Sequence, residues 1–483
     1  MRPRVSRNVL RAALLLAAAS AGGCAAVGPD YEAPAVQAAA DWSTSAPSSE
    51  KPVELDAWWH AFEDAQLDSL IERARAANVD LELASARIAE ARAALGVARA
   101  ARLPQVDASA DFDRARRSKE ALGGAPFFGR RENSLWDVGF DARWELDVFG
   151  GQRRGVEAAL ADTQALEEAH RAALVSVSAE VARNYVELRV LQQRLATARQ
   201  RIEVQDETAQ IVVLRADAGV ASDLDSTRAR AQVASARSEA PALEAQIKAR
   251  VHRLGVLLGA APAPLWPELE APAEIPVAQL ALVVAQPLDV LARRPDVRQA
   301  ERACAAASAR LGVAVADRYP RVSLGAGFGW LANEADDLFK SSAVASSFGP
   351  TLSLPLFDGG ARRAQVEAAT AREEQALAAH RGAVLGALEE VENALVALGA
   401  ASESRATLRA ALGEQRQAAQ YARELYAGGV TDFLTVLDAE RERFALEDRF
   451  LDSSGEVALQ FVALAKALGG GWSEDANVNV AAR

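Results

Sequence analysis

The chain has 483 residues, of which 50% are hydrophobic and 25% charged, a composition typical of a folded protein and not of a disordered one. Its formal net charge of −12 argues against nucleic acid as a partner. The two cysteines give no disulfide framework, and the four widely separated histidines give no metal-ligand spacing. We therefore predict no nucleic-acid partner, no metal site and no cofactor.

Residues 1–23 have the pattern of a secretory signal peptide: four arginines, a short apolar stretch, and small residues just before Cys24. The apolar stretch is too short to span a bilayer as a stable helix. Cysteine in this place resembles a bacterial lipobox, in which the thiol is lipidated and the peptide is cut before it. The alternative is an ordinary signal-peptidase site near Cys24. We predict lipidation of Cys24, and Ala25 is not the aspartate that retains such lipoproteins in the inner membrane.

The rest of the chain is internally duplicated. Leu-Gly-Val followed by Arg-x-Pro occurs at 95–104 and again 216 residues later, at 311–320. Gly-Gly-x-Arg-Arg at 150–154 returns 209 residues later, and the Val-Glu-Ala-Ala and Gly-Val sequences that follow it return after 210. Each half therefore has the same order: a helix, two strands, a very long helix, a Gly-Val break and a return helix.

Four segments alternate apolar and polar residues, which is the pattern of a strand with one apolar face. The clearest is 136–148, in which the polar face is almost entirely charged. The other three begin near Val106, Val322 and Phe348, and Pro350 and Pro355 weaken the last of them. Each segment has about the ~9–11 residues of a tilted membrane strand. Four strands cannot enclose a pore and open edges are not tolerated in lipid, so this pattern predicts an oligomer without giving its number.

The two long segments from Gln152 to Asp217 and from Ala361 to Ala427 contain no proline, and at ~1.5 Å per residue each helix reaches ~100 Å. Their return helices are predicted at roughly 222–258 and 431–468, with Ser222 and Thr431 as N-caps. The Ala-, Leu- and Val-rich faces favour close side-by-side packing, either as a tube or as an ordinary coiled-coil dimer. The membrane strands beside them favour the tube.

These features together resemble the TolC/NodT-type outer-membrane efflux lipoproteins, the outer-membrane factors of RND efflux systems. The motifs that carry the resemblance are Cys24 with Val27-Gly28-Pro29-Asp30-Tyr31 and Pro34, Trp144-Glu145-Leu146-Asp147 with Phe149-Gly150, Arg293-Arg294-Pro295-Asp296-Val297, Leu354-Pro355-Leu356-Phe357-Asp358-Gly359-Gly360, Gly429-Val430-Thr431-Asp432-Phe433-Leu434-Thr435-Val436-Leu437-Asp438-Ala439 and Leu468-Gly469-Gly470-Gly471-Trp472. They cover essentially the whole chain after the signal peptide.

The resemblance implies an α+β membrane protein of the outer membrane with a long periplasmic extension. It also implies a lipid anchor that includes a palmitate group. It implies a homotrimer in which long antiparallel helical hairpins form a periplasmic α-barrel and four transmembrane strands per chain contribute to a shared 12-stranded β-barrel. It also implies a periplasmic adaptor (membrane fusion) protein and an inner-membrane pump as partners. The expected role is passive conduction of solutes or drugs, without enzymatic activity.

The resemblance also implies that Leu434 and Asp438 line the closed periplasmic aperture. The two residues are four positions apart and share a helix face; the alternative is a solvated aspartate on an exposed helix. Tyr426 is the candidate for a gate contact, in which its hydroxyl ties neighbouring hairpins together. The alternative is that Tyr426 is an ordinary packing residue. In the first half we take Asp225 and Ala229 as the residues about 210 positions earlier that correspond to Leu434 and Asp438.

Two other functions stay open at this stage: a channel for type I protein secretion, and a lipid-anchored periplasmic coiled-coil scaffold or adaptor. The expected segments are a signal peptide (1–23), a lipidated extended segment (24–60), a helix (61–103), β-hairpin 1 (104–151), helical hairpin 1 (152–258), a Pro-rich linker (259–287), a second helix (288–317), β-hairpin 2 (318–360), helical hairpin 2 (361–468) and a C-terminal tail (469–483).

Overall fold

The computed structural model describes residues 26–36, 38–44, 54–116, 132–278 and 284–473. Cys24 and most of the tip of the first β-hairpin lie outside the described residues. The chain folds into two compact units. The first, here called the sheet unit, comprises Met1–Pro34, Ile88–Ala165 and Ala300–His380, and the second, the hairpin unit, comprises Ala35–Arg87, Leu166–Gln299 and Arg381–Arg483.

The order of elements in the first half follows the predicted order, except that two helices stand in place of the single helix expected at 61–103. It contains helices α1 (Ala65–Ala77) and α2 (Val79–Ala100), strands β1 (Gln105–Arg116) and β2 (Glu132–Leu146), and helices α3 (Gly151–Asp217) and α4 (Asp223–Leu257). A 3₁₀ segment, Leu55–Phe62, precedes α1, and the linker after α4 contains the 3₁₀ turn Ala263–Leu265 and the short helix α5 (Trp266–Leu269).

The second half repeats this order. It contains α6 (Pro287–Arg293), α7 (Pro295–Ala316), β3 (Arg321–Ala332), two 3₁₀ turns (Ala335–Asp337 and Ser341–Ala343), β4 (Val344–Ser353), α8 (Ala361–Ala427) and α9 (Phe433–Ala467). The long helices α3 and α8 have 67 residues each, and the return helices α4 and α9 have 35 each. Among the described residues, no helix combines the length and the hydropathy that crossing a membrane requires.

The sheet unit contains one antiparallel sheet with the order β1-β2-β3-β4. The alternation of apolar residues in the fourth segment continues to Leu356, but β4 ends at Ser353, and β2 ends at Leu146 instead of Val148. Pro350 lies within β4, opposite Leu324 of β3. In the single chain β4 is an edge strand, which is where proline is usually found in a sheet.

Register places the apolar residues of all four strands on one face. Phe140 of β2 pairs with Ala108 of β1 and with Phe328 of β3, and Ala326 pairs with Phe348 of β4. Phe140, Phe328 and Phe348 are 52%, 50% and 78% exposed in the single chain. The opposite face is acidic, since Asp107 and Asp111 pair with Asp141 and Asp137. A continuous exposed apolar face of this kind marks contact with lipid or with another protein.

Aspartates cap the starts of both long helices, beside the Gly-Gly motifs. Asp147 accepts hydrogen bonds from the backbone N–H groups of Gln152 and Arg153 at 3.0 and 2.9 Å. Asp358 likewise accepts from the N–H groups of Gly360 and Arg362 at 2.9 and 3.2 Å. A carboxylate at a helix N-terminus satisfies otherwise unpaired N–H donors and complements the helix dipole.

The N-terminal motif packs against the start of α3 and against α7. The N–H of Val27 donates to the carbonyl of Phe149 at 3.0 Å, and Arg154 donates to Asp30 at 2.6 Å. Gly28 has a φ of +91°, and a Cβ there would lie 2.7 Å from the Cα of Gly312. This close approach of two backbones is the reason glycine is needed at position 28.

The core of the hairpin unit combines the Arg-Arg-Pro-Asp-Val motif with the C-terminal Gly-Gly-Gly-Trp motif. The buried Arg294 donates to the carbonyl of Ala467 at 2.8 Å and to Asp296 and Glu390. Burial acts to lower the pKa of Arg294, but its hydrogen bonds to the two carboxylates outweigh burial and raise it. Trp472 is also buried and has three guanidinium groups within 5.0–5.6 Å of its ring, those of Arg171, Arg293 and Arg298.

Candidate functional site

The candidate residues lie in and beside the turns that join each long helix to its return helix. The two turns have the same geometry. The N–H of Val220 donates to the carbonyl of Arg215 at 2.8 Å, and that of Val430 to Leu425 at 2.9 Å. Gly219 and Gly429 have φ values of +72° and +74°. A left-handed glycine followed by this bond is the Schellman motif, which ends a helix sharply and lets the chain reverse.

The return helices then begin at capping residues that differ between the halves. Ser222 caps α4 as predicted, its hydroxyl accepting from the N–H of Asp225 at 3.2 Å. The prediction for Thr431 was wrong, because Asp432 is the N-cap of α9 and accepts from the N–H of Thr435 at 3.0 Å. Hydrogen bonds from the hydroxyl and the N–H of Thr435 lower the pKa of Asp432.

The caps also correct the alignment of the two halves. Ser222 is 210 residues before Asp432, and both return helices have 35 residues. The residues that correspond to Leu434 and Asp438 are therefore Leu224 and Arg228, not Asp225 and Ala229.

Leu434 and Asp438 share one face of α9, as their spacing predicted. Both are exposed in the single chain, Leu434 at 43%, whereas Val436 between them is 3% exposed. Val436 faces the packed side of the helix, so Leu434 and Asp438, two residues away in either direction, lie on the opposite side. This side of α9 is exposed in the single chain.

Tyr426 packs through its ring. Its centroid lies 4.7 Å from the guanidinium carbon of Arg215 in α3 and 5.9 Å from the ring of Phe433. A small cluster around Phe433 includes Val212 and Val233 of the first helical hairpin. Within the residues that the structure describes, no hydrogen bond of the Tyr426 hydroxyl is present, so the contact between the two hairpins of one chain runs through the ring face.

A second contact between the hairpins lies farther along the same helices. Arg201 of α3 is 2.9 Å from Glu239 of α4 and 3.5 Å from Asp448 of α9. Arg194 of α3 pairs with Asp452 of α9 at 3.2 Å. Burial raises the pKa of Asp448, although Arg201 and Arg194 act in the opposite direction. We call these five residues the seam cluster.

Beside the seam cluster, α9 has a largely buried charge network of its own. The buried Glu440 forms ion pairs with Arg423 at 2.7 Å and with Arg443 at 2.9 Å. The guanidinium of Arg443 lies 3.8 Å from the centroid of the buried Phe444 ring, whose distance from the Arg201 guanidinium is 5.4 Å. Such paired charges with a cation–π contact hold side chains in place.

Sequence reasoning missed Arg215 and Arg201, whose contacts join segments more than 200 residues apart. The only signal in the sequence was the position of Arg215 four residues before its Gly-Val break. Elsewhere in the described part of the chain, no group of three His, Cys, Asp or Glu side chains is placed to hold a metal ion.

Comparison with known proteins gives one consistent result. The family model described as Outer membrane efflux protein matches residues 70–260 and 287–470. The Outer membrane protein OprJ of Pseudomonas aeruginosa is 34% identical over 95% of both chains. The Toluene efflux pump outer membrane protein TtgI of Pseudomonas putida is 31% identical over 94% of this chain and 97% of its own. The solved outer-membrane channel OprN is 37% identical with a TM-score of 0.86, covering 92% of this chain and 99% of its own.

Proposed function

Because the chain belongs to the family of outer membrane efflux proteins, we propose that this outer-membrane efflux channel is the passive exit duct of a tripartite system. In this proposal a periplasmic adaptor and an inner-membrane pump deliver solutes or drugs to it, and it performs no chemical reaction. Relatives named for toluene and solvent efflux favour a small-molecule cargo over protein secretion.

The observation that carries the proposal is the four-stranded sheet. Its apolar face is exposed in the single chain, and among the described residues β1 and β4 have no partner on their outer sides. Unpaired edges and lipid are incompatible, since each unsatisfied backbone group costs several kcal/mol in hydrocarbon. Closure with other copies removes both edges. Three chains give the 12-stranded β-barrel of a homotrimer, with the apolar face toward lipid and the acidic face toward the lumen.

We place the periplasmic aperture at Leu434 and Asp438, on the open side of α9. The exposure of both residues and their position one turn apart support this assignment. Tyr426 would act as a gate contact, because its ring holds the start of the second return helix against Arg215 of the first hairpin. A helical hairpin held at this end can close the mouth, and its release can open it.

The aperture is tested by single-channel recording in planar bilayers. Asp438→Ala should raise the conductance of the closed channel or weaken its preference for cations. Glu456→Ala on the same helix is the matched control for the loss of an acidic residue, because the exposed Glu456 accepts a hydrogen bond from Gln460 at 2.6 Å and lies outside the contacts between the hairpins. If Asp438→Ala behaves like wild type in both measurements, Asp438 does not line the aperture.

Lipidation of Cys24 would anchor the N-terminus to the inner leaflet of the outer membrane. A Cys24→Ser variant with its signal still cleavable tests whether the strands hold the protein in the membrane by themselves. The channel should stay in the outer-membrane fraction, because its apolar sheet face is in lipid. A protein that becomes soluble would instead be a periplasmic scaffold held only by its lipid.

A further inference from the structure

The loop that joins β3 to β4, residues 333–343, has a compact conformation of its own. It contains the two 3₁₀ turns Ala335–Asp337 and Ser341–Ala343. Backbone hydrogen bonds of 3.0–3.2 Å close both turns, and an ion pair between Lys340 and Asp337 links them. The directions of the side chains in this loop are therefore set by the fold of the loop itself.

The loop folds back onto the apolar face of the sheet. Leu338 is 7% exposed because it packs in a cluster with side chains of β2, β3 and the loop, namely Trp136, Val138, Trp330, Ala332 and Ala343. Register places Trp330 opposite Val138 of β2 and Val344 of β4, on the same face as Phe328. The loop therefore lies on the apolar side of the sheet and not on the acidic side.

Phe339, the next residue after Leu338, is exposed instead of buried. It is 70% exposed, and its ring meets the ring of Trp330 edge-on at a centroid distance of 5.5 Å. Trp330 in turn contacts the ring of Phe328 at 5.6 Å. A single exposed apolar residue needs no explanation, but Phe339 is continuous with the whole apolar face. It extends that face beyond the ends of the strands.

Tryptophans mark two levels along the strands. Trp136 pairs with Ala332 at the loop end of β3, and Trp144 lies near the other end of β2, where its indole N–H donates to the carbonyl of Arg102 at 2.9 Å. The two tryptophans are eight positions apart in β2. At ~3.4 Å per residue and a strand tilt of ~40°, this spacing gives about 20 Å along the membrane normal, close to the ~25 Å apolar band that aromatic girdles border in membrane barrels.

We propose that the loop 333–343 anchors the protein in the outer leaflet of the membrane, with the ring of Phe339 among the lipid acyl chains next to the headgroups. This proposal rests on the proposed function, in which the apolar face of the sheet meets lipid. The long helices leave the strands at the opposite end and extend into the periplasm, so this loop lies at the outer surface. Leu338 holds the loop against the sheet, and Phe339 contacts the lipid, at the level where aromatic side chains are common.

The experiment places an environment-sensitive fluorescent label on single added cysteines of the full-length protein in vesicles of phosphatidylethanolamine and phosphatidylglycerol. The label at Phe339→Cys should emit at a shorter wavelength than at Asp336→Cys, lose quenching by aqueous iodide present on both sides of the membrane, and gain quenching by a nitroxide-bearing lipid. Asp336→Cys is the matched control, because Asp336 is exposed in the same loop and a label there should be quenched by iodide. Protein without an added cysteine gives the background, since Cys304 is buried.

A label at Phe348→Cys separates this proposal from the proposed function, since Phe348 lies on the apolar face within β4. If that label is quenched by the lipid while the label at Phe339→Cys behaves like that at Asp336→Cys, the sheet is in the membrane and anchoring by the loop is overturned. Protection of the label at Phe339→Cys from both quenchers also overturns it, because another protein chain then covers this residue. If iodide alone quenches the labels at Phe339→Cys and Phe348→Cys, the apolar face does not meet lipid and the proposed function fails.

Discussion

Arg201 is the one side chain that links three helices at the seam cluster, so its removal should loosen the closed channel. Its side chain is 14% exposed and contacts Glu239 within its own hairpin and Asp448 in the other. It also lies over Phe444 at 5.4 Å. Arg201→Gln removes the cation and leaves two carboxylates near each other, one of them half-buried.

The magnitude follows from the exposure of each partner. Glu239 is 47% exposed, so its ion pair contributes at most about 1 kcal/mol and does not bridge the hairpins. Asp448 is 24% exposed, and its pair together with the contact on Phe444 contributes about 1–2 kcal/mol to the joined hairpins. A loss of that size shifts the balance between closed and open hairpins about 5–30-fold toward open in each chain.

The assay is the open probability of single channels at neutral pH. The matched control is Arg199→Gln, two residues away on the same helix, because Arg199 pairs at 2.9 Å with Glu244 of its own hairpin and does not reach α9. Arg201→Gln should increase the open probability and Arg199→Gln should not. Equal behaviour of the two variants would show that the seam cluster does not hold the hairpins together.

Three further predictions concern the same seam, the core and the sheet. Burial raises the pKa of Asp448 above its ordinary 3.8, so the closed seam binds a proton more tightly than separated hairpins do. The two hairpins should therefore be held together most tightly at a pH below the ordinary pKa of 3.8, and this contact should weaken as the pH rises through the raised pKa of Asp448. Asp448→Asn should abolish this dependence of the open probability on pH. Arg294→Met leaves the buried carbonyl of Ala467 without its donor and should cost about 1–3 kcal/mol, seen as a lower melting temperature by circular dichroism. Phe348→Lys on the apolar face should reduce recovery in the outer-membrane fraction, at a cost of up to about 2–4 kcal/mol, whereas Ser347→Lys on the other face should not.

The features that could be predicted from the sequence are those that local chemistry determines. Alternation predicted all four strands because one face of a single sheet has to be apolar along its whole length. The helix ends at the Gly-Val breaks were predictable since Gly219 and Gly429 adopt a backbone conformation that other residues avoid. Strand ends were less certain: Leu354 and Leu356 continue the alternation, but Pro355 between them cannot donate to a ladder, and β4 ends at Ser353.

The features that could not be predicted depend on partners distant in the sequence or on competition between neighbours. Thr431 and Asp432 are both good capping residues, and only the backbone after Gly429 decides that Asp432 is the cap. The contact of Tyr426 with Arg215 requires the two hairpins to be adjacent, and no local pattern in either segment contains that information.

The duplication gives the chain two hairpins that end in the same turn, yet the side chains beyond that turn have diverged. Asp223 is exposed in the first half, whereas Phe433, 210 residues later, is buried. Arg230 is exposed, whereas its equivalent Glu440 is buried and paired with Arg423 and Arg443. Because the backbone of the two turns is the same, these substitutions make the packing of the second return helix different from that of the first.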